Sequence, residues 1–234
     1  MKAIISFLLI VLSPLSHADF WGIKGDIGSW RPDYSGSLNG GDYSLSELGY
    51  GEEDHLYAHL YIEHFFPLIP NFRLSIVDGS SQQSINNPTS INGDTLVTTA
   101  VNLSHVDVTA YYELLDNWFN FDLGLSVRKL DGGVSLDTLL SSDSSSMDDV
   151  VPMLYAHAEL ELPFTGWFIG AEANYTEYED YGISDYTVRV RYLFDAVLDF
   201  GLEVGYRDLT LDYDKSFGVE ITQGGPFAGF AFHF

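Results

Sequence analysis

The chain has no cysteine among its 234 residues. That excludes disulfides, thiol nucleophiles, zinc–thiolate sites and lipid attachment to an N-terminal Cys. Positive charge is scarce as well, with 10 Lys and Arg against 34 Asp and Glu and a formal net charge of −24. Nucleic acid is thereby excluded as a partner, because gripping phosphates takes clustered cations that displace counterions. After the N-terminal segment no apolar run approaches the ~18 residues of a membrane-spanning helix. Charged residues are only 19% of the chain, yet hydrophobic residues reach 46% and aromatics 15%. A disordered chain lacks that aromatic and β-branched content. What remains is a folded, β-rich, acidic protein.

Residues 1–18 read MKAIISFLLIVLSPLSHA. Lys2 supplies a positive start, Ala3 to Leu12 an apolar run, Pro14 a break, and Ser16-His17-Ala18 the small residues of a cleavage site. The run is too short to anchor as a spanning helix. The pattern predicts a cleaved signal peptide over 1–18 and a single barrel domain over 19–234, exported without disulfide staples.

Beyond residue 18 the apolar pattern has a period of two, the beat of strands. Leu56, Ala58, Leu60 and Ile62 interleave with Tyr57, His59, Tyr61 and Glu63. The same alternation recurs from the strand at Trp21–Ile27 to the last at Ala228–Phe234, for ten candidate strands, with eight still open because the first strand and 215–227 are weakly patterned. Tight connections at 67–70, 114–117, 163–166 and 194–197 alternate with longer polar ones at 31–54, 78–102, 129–152, 177–185 and 208–225. An antiparallel up-and-down β-barrel with short turns at one rim and long loops at the other produces that order. The SSDSSS run at 141–146 reads as a low-complexity loop tip.

Alternation alone suits a soluble barrel, apolar inside, or a membrane barrel, apolar outside. One face carries the cations Lys24, Arg73, Arg128, Arg189, Arg191 and Arg207. It also carries the acids Asp26, Glu63, Asp107, Glu113, Asp122, Glu159, Glu161, Glu172, Asp199 and Glu203. The opposite face is apolar on every strand, more than a small barrel interior packs. Phe65, Phe66, Phe72, Trp118, Phe119, Phe164, Trp167, Phe194 and Phe200 cluster beside the tight turns. Tyr175, Tyr178, Tyr181, Tyr186, Tyr206 and Tyr213 cluster beside the long loops. Two aromatic belts fit the two headgroup layers of a bilayer. The expectation is a transmembrane barrel with the charged face lining its lumen.

The chain stops at PFAGFAFHF, with Phe230, Phe232 and Phe234 at alternate positions. This resembles the C-terminal strand of bacterial outer-membrane proteins, whose last residue is typically Phe and whose final strand is read by the barrel-insertion machinery. Together with the signal segment and the ten alternating strands, the chain resembles the small, poorly characterised outer-membrane β-barrel families of proteobacteria. The resemblance implies location in the outer membrane of a Gram-negative cell, termini in the periplasm, and contact with lipid and lipopolysaccharide. It implies no activity, cofactor or oligomer, and a monomer is the simplest expectation.

Three kinds of function remain open. In a structural barrel the lumen fills itself, Lys24, Glu63, Arg73, Glu113, Asp122, Arg128, Glu159, Glu172, Arg189, Arg191, Glu203 and Arg207 forming a charge network, since buried charges must be paired. In a narrow porin-like pore the excess of lumen acids favours cations. Gly22, Gly124, Gly170, Gly201 and Gly205 on the polar face then leave room for water, unless they merely accommodate bulky Arg and Tyr opposite. In a hydrolase, lipid-modifying barrels need a Ser-His-acid set facing lipid, and the outward positions offer only His64. His59 and His157 face the lumen. A protease reading resembles the ten-stranded omptins, with Glu52, Glu53, Asp54 and His55 at the long-loop rim. Acids throughout the long loops are suited to share divalent cations with lipopolysaccharide, but no stretch has a defined metal spacing.

Overall fold

A computed structural model describes residues 21–84, 90–91, 94–138, 142–178, 180–194, 199–213 and 218–234. The expected signal peptide and the last part of the 194–197 turn lie outside these residues. Ten long antiparallel strands form the barrel. They are β1 (Trp21–Trp30), β2 (His55–His64), β3 (Asn71–Val77), β4 (His105–Leu115), β5 (Phe119–Leu130), β6 (Val150–Leu162), β7 (Trp167–Tyr178), β8 (Tyr181–Phe194), β9 (Asp199–Tyr213) and β10 (Val219–His233). Each pairs with its neighbours in sequence, and β10 returns to β1 with Lys24 opposite His233 and Trp30 opposite Phe227. Closure leaves the barrel without a free edge. Phe234 completes the seam, its amide donating to the Ile23 carbonyl at 2.9 Å and its carbonyl accepting from the Ile23 amide at 3.3 Å. The count is ten strands, not eight, and the up-and-down order is as the turn spacing predicts.

The long-loop end departs from expectation. Within the expected loops 177–185 and 208–225, Glu177–Tyr178, Tyr181–Asp185, Asp208–Tyr213 and Val219–Gly225 are strand: Tyr178 still pairs with Tyr181, and β9 stays in register with β10 from Asp199↔His233 to Tyr213↔Val219. At 15 residues each, β9 and β10 exceed the ~9–11 that cross a bilayer. The overhang makes a wall above the barrel. Asp33–Leu38 adds to that wall by pairing with Glu220–Gly224 of β10. The other two long connections form a small sheet from Ser80–Ser84, Asp94–Asn102, Gly132–Thr138 and Ser142–Met147. The described part of the serine run, 142–146, therefore lies in the outer strand of a sheet, with Ser144 opposite Ser135, and not in a loop tip.

Polarity inverts along the strands at this level. On β9, Glu203, Arg207, Leu209, Leu211 and Tyr213 share the inward phase and are buried, while Leu202, Val204 and Tyr206 face outward and are exposed. Below Arg207 the inside is charged and the outside apolar. Above it the inside is apolar and the outward residues are Asp208, Thr210 and Asp212. The upper interior is a hydrocarbon core that includes Leu38, Leu45, Val101, Met147, Ile183 and Ile221, each at most 1% exposed. Tyr181 and Tyr213 belong to this core, their rings stacked at 4.7 Å, and not to an outer aromatic belt. Tyr175, Tyr178, Tyr186 and Tyr206 are exposed as expected.

Candidate functional site

The lumen of the lower barrel is the candidate site, because inward residues of all ten strands meet there. Three tiers of charge fill it from the long-loop end to the short-turn end. In the upper tier Arg128 and Asp107 are direct partners across β4 and β5. The Arg128 fork donates to both Asp107 oxygens at 2.8 and 2.7 Å and reaches Asp185 at 2.6 Å. Asp185 in turn accepts two bonds from Arg207, at 2.8 and 2.6 Å. Arg207 lies over the Trp30 ring at 4.8 Å and donates to His105 Nε2 at 3.2 Å. That acceptor role, with Nδ1–H donated to the Leu103 carbonyl at 2.8 Å, makes His105 a neutral imidazole.

The middle tier is built on Glu172, which meets Arg73 at 2.7 Å and Arg189 at 3.3 Å. Arg73 lies between the rings of Tyr61 and Tyr155, at 5.4 and 5.8 Å. Its charge is held by one carboxylate and two aromatic faces. Arg189 also approaches Asp26 at 3.7 Å and Glu203 at 3.8 Å. Asp26 accepts from His59 at 2.6 Å, and Glu203 accepts from the Tyr57 hydroxyl at 2.8 Å. In the lower tier Lys24 pairs with Glu63 at 2.8 Å, Arg191 with Glu159 at 3.5 Å, and His157 with Asp122 at 2.9 Å. Tyr111 donates to Glu63 at 3.0 Å. Glu113 is half-buried beside Asp122, its cross-strand partner.

Of the twelve charged residues expected to line the lumen, Arg73, Asp122, Arg128, Glu159, Glu172, Arg189, Glu203 and Arg207 are buried, and Lys24, Glu63, Glu113 and Arg191 are half-buried. Glu161 and Asp199 do not join them: each lines the open mouth at the short-turn rim, Glu161 exposed and Asp199 half-buried. Asp185 was expected in a loop and lies instead at the centre of the upper tier, with His105 beside it. Its strand phase, two residues before Thr187 and four before Arg189, was the signal that it faces inward. Phe230 and Phe234 are exposed on the outer face, and Phe232 packs against Phe234 at 5.4 Å.

Two glycines of the polar face, Gly124 and Gly205, sit beneath aromatic side chains. A Cβ on Gly124 would lie 2.7 Å from the Tyr111 Cβ, and one on Gly205 would lie 2.4 Å from the Phe227 ring. Small cavities remain, of about 20 Å³ between the upper and middle tiers and about 30 Å³ in the lower tier. Each has room for one or two water molecules. Asp26, His59 and Ser75 form a cross-strand row on β1, β2 and β3 that looks like a hydrolytic set. His59 and Ser75 face the smaller cavity, where no acyl or glycosyl substrate has space.

The long-loop rim is engaged in structure. His55 is buried, bonded to the Tyr34 hydroxyl at 2.8 Å, while Asp54 takes a two-bond clasp from Arg31 at 2.8 Å. Burial pushes the Tyr50 hydroxyl up to about 12 and raises Tyr34 in the same direction, so both phenols stay protonated inside the upper core.

No family model and no curated protein matches the chain. Among solved structures it is similar to a Pseudomonas aeruginosa FadL homologue, at 9% identity and TM-score 0.44, over 92% of this chain and 90% of that one. The β domain of the Bordetella autotransporter BrkA is similar at 10% identity and TM-score 0.39, over 92% and 99% of the two chains. The outer-membrane protein AlkL in lipid bilayers is similar at 13% identity and TM-score 0.30, over 95% of each chain.

Proposed function

We propose that this protein is an integral outer-membrane barrel whose lumen is filled by its own side chains, with a structural or envelope role and no transported solute. The filled lumen carries the reading. Between the two rims the interior is occupied by ion pairs and aromatic rings, and its cavities are small, about 20 and 30 Å³. Above them the hydrocarbon core closes the long-loop end.

Membrane residence rests on the outer surface. Leu125 and Leu154 are each 63% exposed and Val188 57%, within an apolar band that runs around the barrel. Water does not tolerate so large a contiguous apolar surface. Exposed aromatics edge the band on both sides, Trp118, Trp167 and Phe200 below and Tyr175, Tyr186 and Tyr206 above. A cleaved signal over 1–18 would export the chain, and the Phe230–Phe234 strand would be read by the insertion machinery. Lipid would then surround the band and lipopolysaccharide the acidic upper surface, with the short-turn rim in the periplasm.

The test is single-channel recording of the refolded mature protein in a planar bilayer, with folding verified by heat-modifiable gel mobility. Folded protein should insert silently. Stable cation-selective steps would overturn the filled lumen in favour of a narrow pore.

A further inference from the structure

The lower tier breaks a rule that the upper tier obeys. Across β4 and β5, Arg128 faces Asp107, an opposite-charge pair. Six residues down the same ladder, Asp122 faces Glu113, and both point into the lumen. Like charges directly opposite one another destabilise a strand pair. The nearby bases are committed elsewhere: Lys24 to Glu63, Arg191 to Glu159 and Glu203. His157 donates to Asp122 Oδ2. Asp122 Oδ1 is buried and takes no hydrogen bond from any described residue, and Asp122 as a whole is only 6% exposed. Among the described residues Glu113 has no ion-pair partner within 4.0 Å.

Both carboxylates line the cavity of about 30 Å³, which suits one small ion and excludes a large organic one. Lys24, Asn120, Glu159 and Arg191 line this cavity and also the open mouth below, so the chamber adjoins solvent at the short-turn rim. The hydrocarbon core blocks the other end. From the like-charge pair, the unpartnered carboxylate oxygen and the one-sided access, we infer that this chamber binds a single exchangeable positive charge between Glu113 and Asp122. The occupant is a hydrogen ion or a bare alkali cation. No three-ligand cluster of the kind that holds a multivalent metal occurs among the described residues. The site would tie barrel stability to the ions and pH of the compartment at the short-turn rim. Only the closure of the chamber's far end rests on the filled-lumen reading, and stability is read independently of conductance.

The test compares thermal unfolding of the full mature barrel in micelles with that of Glu113→Gln, in sodium, potassium and choline chloride at equal ionic strength. Choline is too large for the chamber. At about pH 8 in choline, Glu113→Gln should melt about 2–4 °C above wild type, because the amide removes the repulsion. An alkali occupant closes that gap when sodium or potassium replaces choline. A hydrogen-ion occupant leaves the gap indifferent to salt and closes it as the pH is lowered to about 5, because a protonated Glu113 carries no charge, as the amide does. Either result supports the site. Identical melting of both proteins in every salt and at both pH values overturns it.

Discussion

Glu203 and Leu211 lie on one strand in one phase, both buried, yet the first is an ion among ions and the second is hydrocarbon among hydrocarbon. The backbone does not distinguish them, since β9 and β10 stay in register through both levels. What differs is the medium outside. In the proposed membrane setting Leu202 and Val204 face lipid; the outside there supplies no water, the apolar side chains go there, and the polar ones must satisfy one another within. Where Asp208 and Asp212 face water, the usual arrangement returns and apolar residues turn inward. One closed sheet thus holds two cores of opposite chemistry, joined where Arg207 packs on Trp30. On the proposed membrane reading, the inversion marks the outer boundary of the bilayer on the protein itself.

The contrast is broken most severely by removing one partner from the ionic core. Arg128→Met leaves Asp107 and Asp185 buried without their shared fork, and it should cost about 3–5 kcal/mol in urea unfolding of the refolded barrel. A loss no larger than that of a cap substitution would mean that the acids are neutral in the folded state. Next in size is the outward face. Leu123→Arg places a cation in the apolar band and should cost about 2–4 kcal/mol, the penalty for a mid-bilayer charge on the lipid face. Asp212→Arg, outward on β9 above the inversion, should leave stability within error. Equal costs at the two sites would put the boundary in the wrong place.

Much of this was legible because alternation reports facing. Each lower-barrel strand carries a polar and an apolar side, so Arg73, Glu172 and Arg189 could be assigned to the lumen from their parity alone. Parity does not report partners. Arg207 and His105 are 102 residues apart in sequence and meet only because the sheet closes. Asp185 escaped because Glu177, Asp180 and Gly182 around it read as loop, whereas Glu177 still belongs to β7 and Gly182 already belongs to β8. Leu209, Leu211 and Tyr213 escaped for a different reason: their alternation is as regular as that of the lower barrel but has the opposite sense. A reader expecting one polarity takes such a stretch for weak patterning. Space was invisible too, since only the packed structure places Gly205 under the Phe227 ring and leaves cavities of only about 20 and 30 Å³ among the charge tiers.

The smallest effect tests whether the two cores unfold together. Ile183 is 1% exposed in the upper core, and its β8 neighbours on the inward face are Tyr181 above and Asp185 of the ionic tier below. Ile183→Val deletes one methylene and should cost about 0.5–1.5 kcal/mol. The informative readout is hydrogen exchange by residue. If the cap is a separate cooperative unit, protection falls at the amides of Leu209 and Leu211 and stays unchanged at Glu203 and Val204, four or more residues down the same strand. The physical ground for separation is that Arg207 and Asp185 gain nothing from the hydrocarbon above them; their partners are Arg128, His105 and Trp30. A uniform loss along all of β9 would instead join cap and lumen in one unit, and the inversion would then be a boundary of chemistry but not of stability.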